Sequence, residues 1–426
     1  MSSNIQKTEK IAALCGMIWF ATIIDACYTW FLPWFFRYLV GTPFVIYATL
    51  LLKQNNSLVL SVQRRRLFIL FFIFFLFVLV THISPFYFIN YSLLYIPIFC
   101  LVFWSTAVLE KFYIYLRRFV VFYAVVSLFV EILVLSGVYI KLPCIILPPY
   151  DSVQEILSIY NRFYGLFVIP ESMYDNVLTF YRAMGPLREG GHFSIFLGFI
   201  YFVEKAVFDK RNILIIVAGL LTLSPNFAFF LIITEGYVGV VRKRVVKTLI
   251  GLACFVVIVL GAVWFSPSFI QDEIVRVILE RNLEENIDNV GVYGYMELLD
   301  GRANVEGLQM WNQFVKRADS FSKMLGMSNS DLVEDFVLSD FRCLIFRYGY
   351  IGFLLIIVCS IGVSLYGKNG FYGVCVLLLG IWVMISRAWM YQQLYIWTMM
   401  FLAVHMKIDQ DIRARLTCSS SEIDCS

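Results

Sequence analysis

Long apolar runs, separated by short polar turns, recur along most of this chain. A membrane-spanning helix needs about 20 mainly apolar residues, because the hydrocarbon core of a bilayer is about 30 Å thick. Runs that approach or reach this length predict spanning helices at 11–26, 38–52, 67–83, 90–109, 119–140, 192–208, 249–265, 350–366, 371–386 and 391–405.

One further apolar run, 213–241, is too long for a single simple span, since a helix of that length would exceed the bilayer core by about half. Ser224, Pro225 and Asn226 near its middle form a helix-stopping signal. Basic residues flank the run at 205–211 and 242–247. Because basic flanks belong on the cytoplasmic side, we predict a hairpin that enters the membrane from the cytoplasm and returns to it. Its two legs are short, so a hairpin that only partly enters the membrane is equally acceptable.

These segments predict an all-α polytopic membrane protein with about 12 transmembrane helices, both termini cytoplasmic and two long external loops. The second loop is predicted to be partly helical, at 271–286 and Val305–Arg317. The predicted division is N-terminal transmembrane helices (1–140), first periplasmic loop (141–191), central helices with the Pro-broken hairpin (192–265), large periplasmic loop (266–347), C-terminal helices (348–407) and cytoplasmic tail (408–426).

The composition agrees with a membrane protein and excludes several other classes. The chain is 60% hydrophobic and 15% charged, whereas soluble chains average about 45–50% apolar and about 25% charged residues. The net charge of +4 says little about partners, because most basic residues lie in short loops, and there is no nucleic-acid-binding signature. The ten cysteines lack metal-like spacing, no Asp-x-Asp pair stands in either loop, and no nucleotide or hydrolase motif appears. We therefore predict neither a metal nor a cofactor.

The first candidate site is the segment 182–192, RAMGPLREGGH, just before an apolar run. Arg182 and Arg188 could bind phosphate bidentately, and Glu189 could act as a general base. The three glycines of the segment would let backbone amides approach an anion. His192 at the helix start is a further polar candidate. The alternative is a solvated, turn-rich loop with ordinary surface charges, which composition alone favours.

Two further candidates lie in the second loop. Arg302 follows Asp300 and a glycine, a pattern that can close over a phosphate or simply cap a helix. Asp340, Arg342 and Arg347 precede an apolar run, as the first cluster does. If that stretch is helical, Asp340 and Arg347 lie on one face; interfacial anchoring by Arg and Tyr is the alternative.

Several local patterns stand in a recognisable order. Arg182-Ala-Met-Gly185 with Glu189 precedes a span, Leu221-Thr-Leu-Ser224 lies at the hairpin turn, and Leu325-Gly-Met-Ser, Asp340 and Tyr348-Gly349 precede the next span. From about 181 to 353, this order resembles the Wzy-type O-antigen polymerase and O-antigen ligase superfamily. The chain departs from common members at Ser224-Pro225, where an arginine often follows the serine. Asp340 stands where ligases carry a histidine, which favours the polymerase branch.

The resemblance implies an inner-membrane polymerase that transfers a growing glycan from undecaprenyl pyrophosphate onto a new lipid-linked repeat unit on the periplasmic side. Glu189 or Asp340 would be the base, and Arg182, Arg302, Arg188, Arg342, Arg347 and His192 would hold pyrophosphate or substrate. The implied partners are the undecaprenyl pyrophosphate-linked glycan, membrane lipids, a chain-length regulator and a flippase. The alternatives are an O-antigen ligase and a polysaccharide flippase or transporter.

Overall fold

The computed structural model describes residues 2–24, 26–29, 32–82, 85–147, 159–172, 183–187, 190–264, 305–327, 340–366, 370–392 and 394–423. Helix dominates these ranges, as the apolar pattern predicts. The N-terminal half holds α1 (Ser2–Ile23), α2 (Trp34–Gln54), α3 (Val62–Thr81), α4 (Pro85–Leu101), α5 (Thr106–Leu135), β1 (Ile145–Leu147), β2 (Ile159–Phe163) and β3 (Val168–Ser172).

All the regular elements of the C-terminal half are helices over the ranges that the structure describes. It holds α6 (Gly190–Ala206), α7 (Ile213–Leu221), α8 (Pro225–Val241), α9 (Val245–Trp264), α10 (Val305–Arg317), α11 (Ser320–Leu325), α12 (Phe341–Ser364), α13 (Gly370–Ser386), α14 (Trp389–Gln392) and α15 (Tyr395–Ile423).

Three of the described helices, α2, α5 and α12, are long and apolar enough to cross a membrane. Shorter apolar helices accompany them at Phe86–Leu101, Pro225–Val241, Val245–Cys254, Gly370–Ser386 and Tyr395–Ile408. Large apolar side chains remain exposed on the outer faces of several of these helices. Such an apolar exterior is costly in water and favourable in lipid, so the helices indicate a membrane protein.

The predicted segment 90–109 is wrong at its C-terminal end. Helix α4 ends at Leu101, and α5 begins at Thr106, where the Ser105 side chain accepts a hydrogen bond from the Val108 amide. Between them the chain bends, and the Phe103 carbonyl accepts from the Val59 amide at 2.8 Å. Val102, Phe103 and Trp104 in this connection are apolar, so hydropathy averaged over the length of a span does not reveal the break. The basic residues 111–118, predicted as a loop, consequently lie inside α5.

The turn inside the run 213–241 is where the sequence predicts it. The Ser224 side chain accepts from the Asn226 amide, and Pro225 occupies the first turn of α8, where its missing N–H costs nothing. The first leg, α7, has only 9 residues and is about 14 Å long. This leg is too short to cross a bilayer as a helix, which favours the re-entrant form of the hairpin.

Helix α6 lies in the middle of the bundle. Every residue from Gly190 to Lys205 is buried, and α5, α7, α8 and α15 pack against it. Helix α8 approaches closely at Gly198, where an added Cβ would stand 2.4 Å from Phe230 Cγ. Because α6 is apolar all round, burial on every side is the environment its sequence requires.

The first predicted loop contains a small sheet that the sequence did not predict. Strands β1, β2 and β3 pair antiparallel in that order, with Leu147 opposite Asn161 and Phe163 opposite Val168. Gly165, with φ +84°, lies in the turn between β2 and β3. Phe167 and Ile169 pack on Tyr139 beside the end of α5. The sheet therefore covers one end of the bundle.

The large second loop agrees in part with its prediction. The predicted helix Val305–Arg317 is confirmed as α10, while the predicted helix 271–286 lies outside the described residues. The prediction of a loop at 341–347 is wrong, since α12 begins at Phe341. The helix has a kink at Gly349. The predicted span 350–366 corresponds to the part after the kink. The predicted tail 408–426 is helical as far as Ile423.

Candidate functional site

Only some of the predicted site residues can be placed. Arg182, Arg188, Glu189 and Arg302 lie outside the described residues. His192 lies in the first turn of α6, and Asp340, Arg342 and Arg347 lie at or near the start of α12. The structure brings these two helix starts to the same end of the bundle, where both contact the segment 387–392.

The glycines before His192 allow close packing at this end. An added Cβ on Gly190 would stand 2.9 Å from the Thr222 carbonyl oxygen, and one on Gly191 would stand 3.0 Å from Arg387 Nη2. The predicted segment therefore packs against the hairpin turn, and His192 is buried rather than placed in a surface loop. The prediction of a solvated, turn-rich loop is wrong for residues 190–192.

A hydrogen-bonded network fixes the start of α6 to the hairpin turn. The Gly191 carbonyl accepts from Ser194 Oγ at 2.6 Å and from Asn226 Nδ2 at 3.3 Å. Asn226 Oδ1 accepts in turn from Trp382 Nε1 at 3.0 Å. Asn226 is 1% exposed, so both ends of its amide are satisfied inside the protein. The guanidinium of Arg387, partly buried, lies over Gly191 at the edge of this network.

Asp340 is held by Arg342 at the start of α12. Asp340 Oδ1 accepts from the Arg342 amide at 2.9 Å, and Oδ2 accepts from Arg342 Nε at 3.0 Å and Nη2 at 2.5 Å. Asp340 is thus the N-cap of α12 and one half of a forked, mostly buried ion pair. Both carboxylate oxygens are engaged, so the arrangement favours a positioning role over proton transfer.

Arg347 reaches across the bundle rather than pairing with Asp340. Its Nη1 donates to Gln392 Oε1 at 2.8 Å, and its Nη2 donates to Tyr91 Oη at 3.2 Å. Arg347 Nε is buried and has no hydrogen-bond partner among the described residues. A guanidinium held by neutral partners, with one donor still open, retains its full charge for an anion.

His82, at the end of α3, completes this side of the cluster. Its Nδ1 lies 3.0 Å from the Val78 carbonyl oxygen, which can only accept, so Nδ1 carries the proton in the neutral ring. Nε2 is then an acceptor, and it has no hydrogen-bond partner within the described ranges. The rings of Tyr91 and Tyr348 lie 5.0 Å and 5.8 Å from the imidazole.

The kink at Gly349 positions Arg347, and a neighbouring loop segment holds the kink. Gly349 has φ +65°, and an added Cβ would stand 2.3 Å from the Met324 carbonyl oxygen. On the other side, the Met327 amide donates to the Phe346 carbonyl at 2.8 Å. The motif Leu325-Gly-Met and the motif Tyr348-Gly349, separated in sequence by residues 328–347, therefore meet in the fold.

The large loop packs on the same helix start through aromatic residues. Phe314 of α10 lies 5.3 Å from Phe346 and 5.7 Å from Trp311, ring centroid to ring centroid. Phe314 is buried and Trp311 is partly buried in this cluster. Trp311 acts as a packing residue here.

The short segment 387–392 joins the two groups. Arg387 at its start lies over Gly191 of α6, and Gln392 at its end binds Arg347 of α12. The starts of α6 and α12 thus flank one six-residue segment, with a partly buried guanidinium at each side. Within the described ranges, no three His, Cys, Asp or Glu side chains gather as a metal site would require. The chemistry that the cluster offers is anion binding by arginine.

Sequence reasoning missed several residues of this cluster. Arg387 carried a signal, because it is a basic residue at a helix end predicted to face outward, against the usual charge distribution. His82, Tyr91 and Gln392 carried none, since their roles depend on tertiary contacts with residues at the start of α12, such as the bond between Gln392 and Arg347 and the one between Tyr91 and Arg347. No protein-family model, curated protein or solved structure matches this chain. The functional assignment therefore rests on the residues themselves.

Proposed function

We propose that this protein is a polytopic membrane polysaccharide polymerase that transfers a growing glycan from a polyprenyl pyrophosphate carrier onto a new lipid-linked repeat unit. The observation that carries the proposal is the meeting of the starts of α6 and α12 around the segment 387–392, with Arg387 on one side and Arg347 on the other. Arginine pairs suit a pyrophosphate leaving group, whose charge must be held as it departs.

Contacts between helix ends support about twelve membrane segments. At one end of the bundle, the Val59 amide before α3 donates to the Phe103 carbonyl after α4. At the same end, Arg242 after α8 pairs with Asp209 after α6 at 2.6 Å. At the other end, the Ala183 amide meets the Leu221 carbonyl at 3.0 Å. Taken in chain order, α1 to α9, α12, α13 and α15 alternate in direction, and α7 and α8 count as the two legs of the hairpin rather than as two full spans. The proposal puts the end with Arg242 in the cytoplasm and the cluster around 387–392 outside.

The proposed reaction needs a base for the acceptor hydroxyl as well as a held pyrophosphate. Asp340 is engaged by Arg342 through both oxygens, so we assign it to positioning α12. Glu189, directly before α6 in sequence, is then the first choice for the base. Arg182, Arg188 and Arg302 keep their proposed roles at the pyrophosphate. In a bacterium, the reaction would take place at the outer face of the inner membrane.

Deletion of the gene distinguishes the proposal from its alternatives. Surface glycan from a cell lacking a polymerase should show core bearing a single repeat unit, because ligation still proceeds. Complete loss of attached glycan would instead indicate a ligase or a flippase and would contradict the proposal. A normal ladder would contradict all three.

A matched pair of variants tests the proposed site. Arg347→Gln removes the charge, and Arg66→Gln removes an exposed charge at the start of α3, at the other end of the bundle. At equal expression, we expect Arg347→Gln to collapse the ladder and Arg66→Gln to leave it intact. Equal ladders from both would remove Arg347 from the site.

A further inference from the structure

A second polar site lies at the opposite end of the bundle from the segment 387–392. A cavity of about 440 Å³ opens between α6, α7, α8 and α9. Its volume falls in the range of about 300–1,000 Å³ that is usual for small-molecule sites. Five basic residues line it, and one acidic residue, Glu235, faces them. The basic residues are Lys205, Arg211, Arg242, Arg244 and Lys247.

The nearby carboxylates neutralise only part of this charge. Asp209 accepts from Lys205 at 2.8 Å and pairs with Arg242 at 2.6 Å. Glu235 pairs with Arg211 at 3.1 Å. Five cations thus face two carboxylates, which leaves a net charge of about +3 around the cavity.

Arg244 and Lys247 account for most of the uncompensated charge. Neither has a carboxylate partner among the described residues. They lie just before and inside the first turn of α9, where the helix dipole is itself positive. Two cations at the positive end of a helix add to the local positive potential instead of neutralising it. Such an arrangement is favourable when an anion occupies the space between them.

The remaining wall of the cavity is apolar. Ile216, Leu231, Val238 and Leu252 line it beside the basic residues. A free phosphate ion would gain nothing from this wall. A phospholipid would use both parts, since its phosphate binds the cations while the start of its acyl chains lies along the aliphatic side chains.

We propose that this cavity binds the phosphate-bearing headgroup of an anionic phospholipid. The assignment to the cytoplasmic leaflet rests on the topology of the proposed function. The lipid contact is independent of the glycan chemistry at the other end and would persist in an inactive chain. Occupancy would fix α9 against α6 and the hairpin, because cations from all three surround one anion.

The test measures binding of lipid to the purified full chain. Native mass spectrometry of the chain in detergent would follow binding of phosphatidylglycerol, with phosphatidylcholine, inorganic phosphate and glycerol phosphate as comparison probes. The double variant Arg244→Gln/Lys247→Gln removes the uncompensated charges without breaking a described ion pair. Its matched control, Arg65→Gln/Arg66→Gln, removes two exposed charges at the start of α3, on the same predicted side.

We expect phosphatidylglycerol to bind in preference to phosphatidylcholine, and Arg244→Gln/Lys247→Gln to weaken it by about fivefold per residue removed. The control should bind as the unaltered chain does. Equal weakening by both double variants would show diffuse surface attraction and would overturn the proposal. Binding of inorganic or glycerol phosphate as tight as that of the lipid would also overturn it, in favour of a soluble ligand. The variant Arg347→Gln, expected to be inactive in polymerisation, should bind phosphatidylglycerol as the unaltered chain does. Lipid binding is thereby tested separately from polymerase activity.

Discussion

Replacing Gly349 by alanine should destabilise the protein by about 2–6 kcal/mol. Gly349 has φ +65° and ψ −177°, a backbone conformation that costs a residue with a side chain about 1–3 kcal/mol. The new Cβ would also stand 2.3 Å from the Met324 carbonyl oxygen and 2.5 Å from the Gly326 amide nitrogen. Both are backbone atoms that cannot move aside alone, so overpacking adds about 1–3 kcal/mol.

Two other glycines separate these contributions. Gly370 has φ +53° with nothing within 4 Å of an added Cβ, so Gly370→Ala should lose only the backbone part, about 1–2 kcal/mol. Gly236 lies in the helix α8 with open space around it, so Gly236→Ala should be neutral or stabilising by up to about 1 kcal/mol.

Thermal unfolding of each purified variant in detergent checks this order. The midpoint should be lowest for Gly349→Ala, intermediate for Gly370→Ala, and highest for the unaltered chain and Gly236→Ala. Because the kink holds Arg347, Gly349→Ala should also reduce polymerisation at temperatures where it stays folded. An unfolding midpoint for Gly349→Ala equal to that of Gly370→Ala would refute the claim that the Met324 backbone packs directly against Gly349.

Three further changes test the described contacts. Asp340→Ala should lower stability by about 3–5 kcal/mol, because the mostly buried guanidinium of Arg342 loses its partner; an unchanged midpoint would argue against the ion pair. Asp209 has its pKa lowered from 3.8 to about 2 by hydrogen bonds from basic neighbours, so the stability it contributes is present above about pH 4 and is lost as the pH falls towards 2. Midpoints measured across that window should fall less in Asp209→Asn than in the unaltered chain, and parallel curves would contradict the assignment. Trp382→Phe leaves the buried Asn226 carbonyl without its donor and should cost about 1–3 kcal/mol by the same measurement, whereas no loss would show that the bond contributes little.

Local signals in the sequence were enough to place several elements. Ser224 and Pro225 marked the hairpin turn, since one caps a helix and the other cannot continue one. The amphipathic pattern of Val305–Arg317 predicted α10 with the bounds that the structure has. Both signals arise from the backbone and from the nearest few side chains, so they do not depend on the rest of the fold.

Other elements depend on contacts that the sequence does not reveal. The break after Leu101 begins with the apolar residues Val102, Phe103 and Trp104, and the Phe103 carbonyl there accepts from the Val59 amide of another turn. The sheet in the first loop is built from strands of three and five residues, whose pairing is decided by register and by cover from α5. Hydropathy averaged over the length of a span cannot resolve features of that size.

The candidate site shows the same limit. The sequence indicated charged residues before α6 and α12, but not which side chains meet them. Arg347 binds Tyr91, 256 positions away, and Arg387 lies over Gly191. The glycines at 190 and 191 were expected to admit an anion, whereas in the fold they admit a carbonyl group and a guanidinium. Only the tertiary arrangement turns separate charges into a cluster.

The most direct test of the central claim is polymerisation by the purified chain. Membranes of cells that lack the gene supply the substrate, since a cell without its polymerase should accumulate the single lipid-linked repeat unit. The unaltered chain in phospholipid vesicles should convert this material into a ladder of longer glycans and release the polyprenyl pyrophosphate. Arg347→Gln should fail, and Arg66→Gln should succeed. A folded, unaltered chain that leaves the repeat unit unextended would contradict the account.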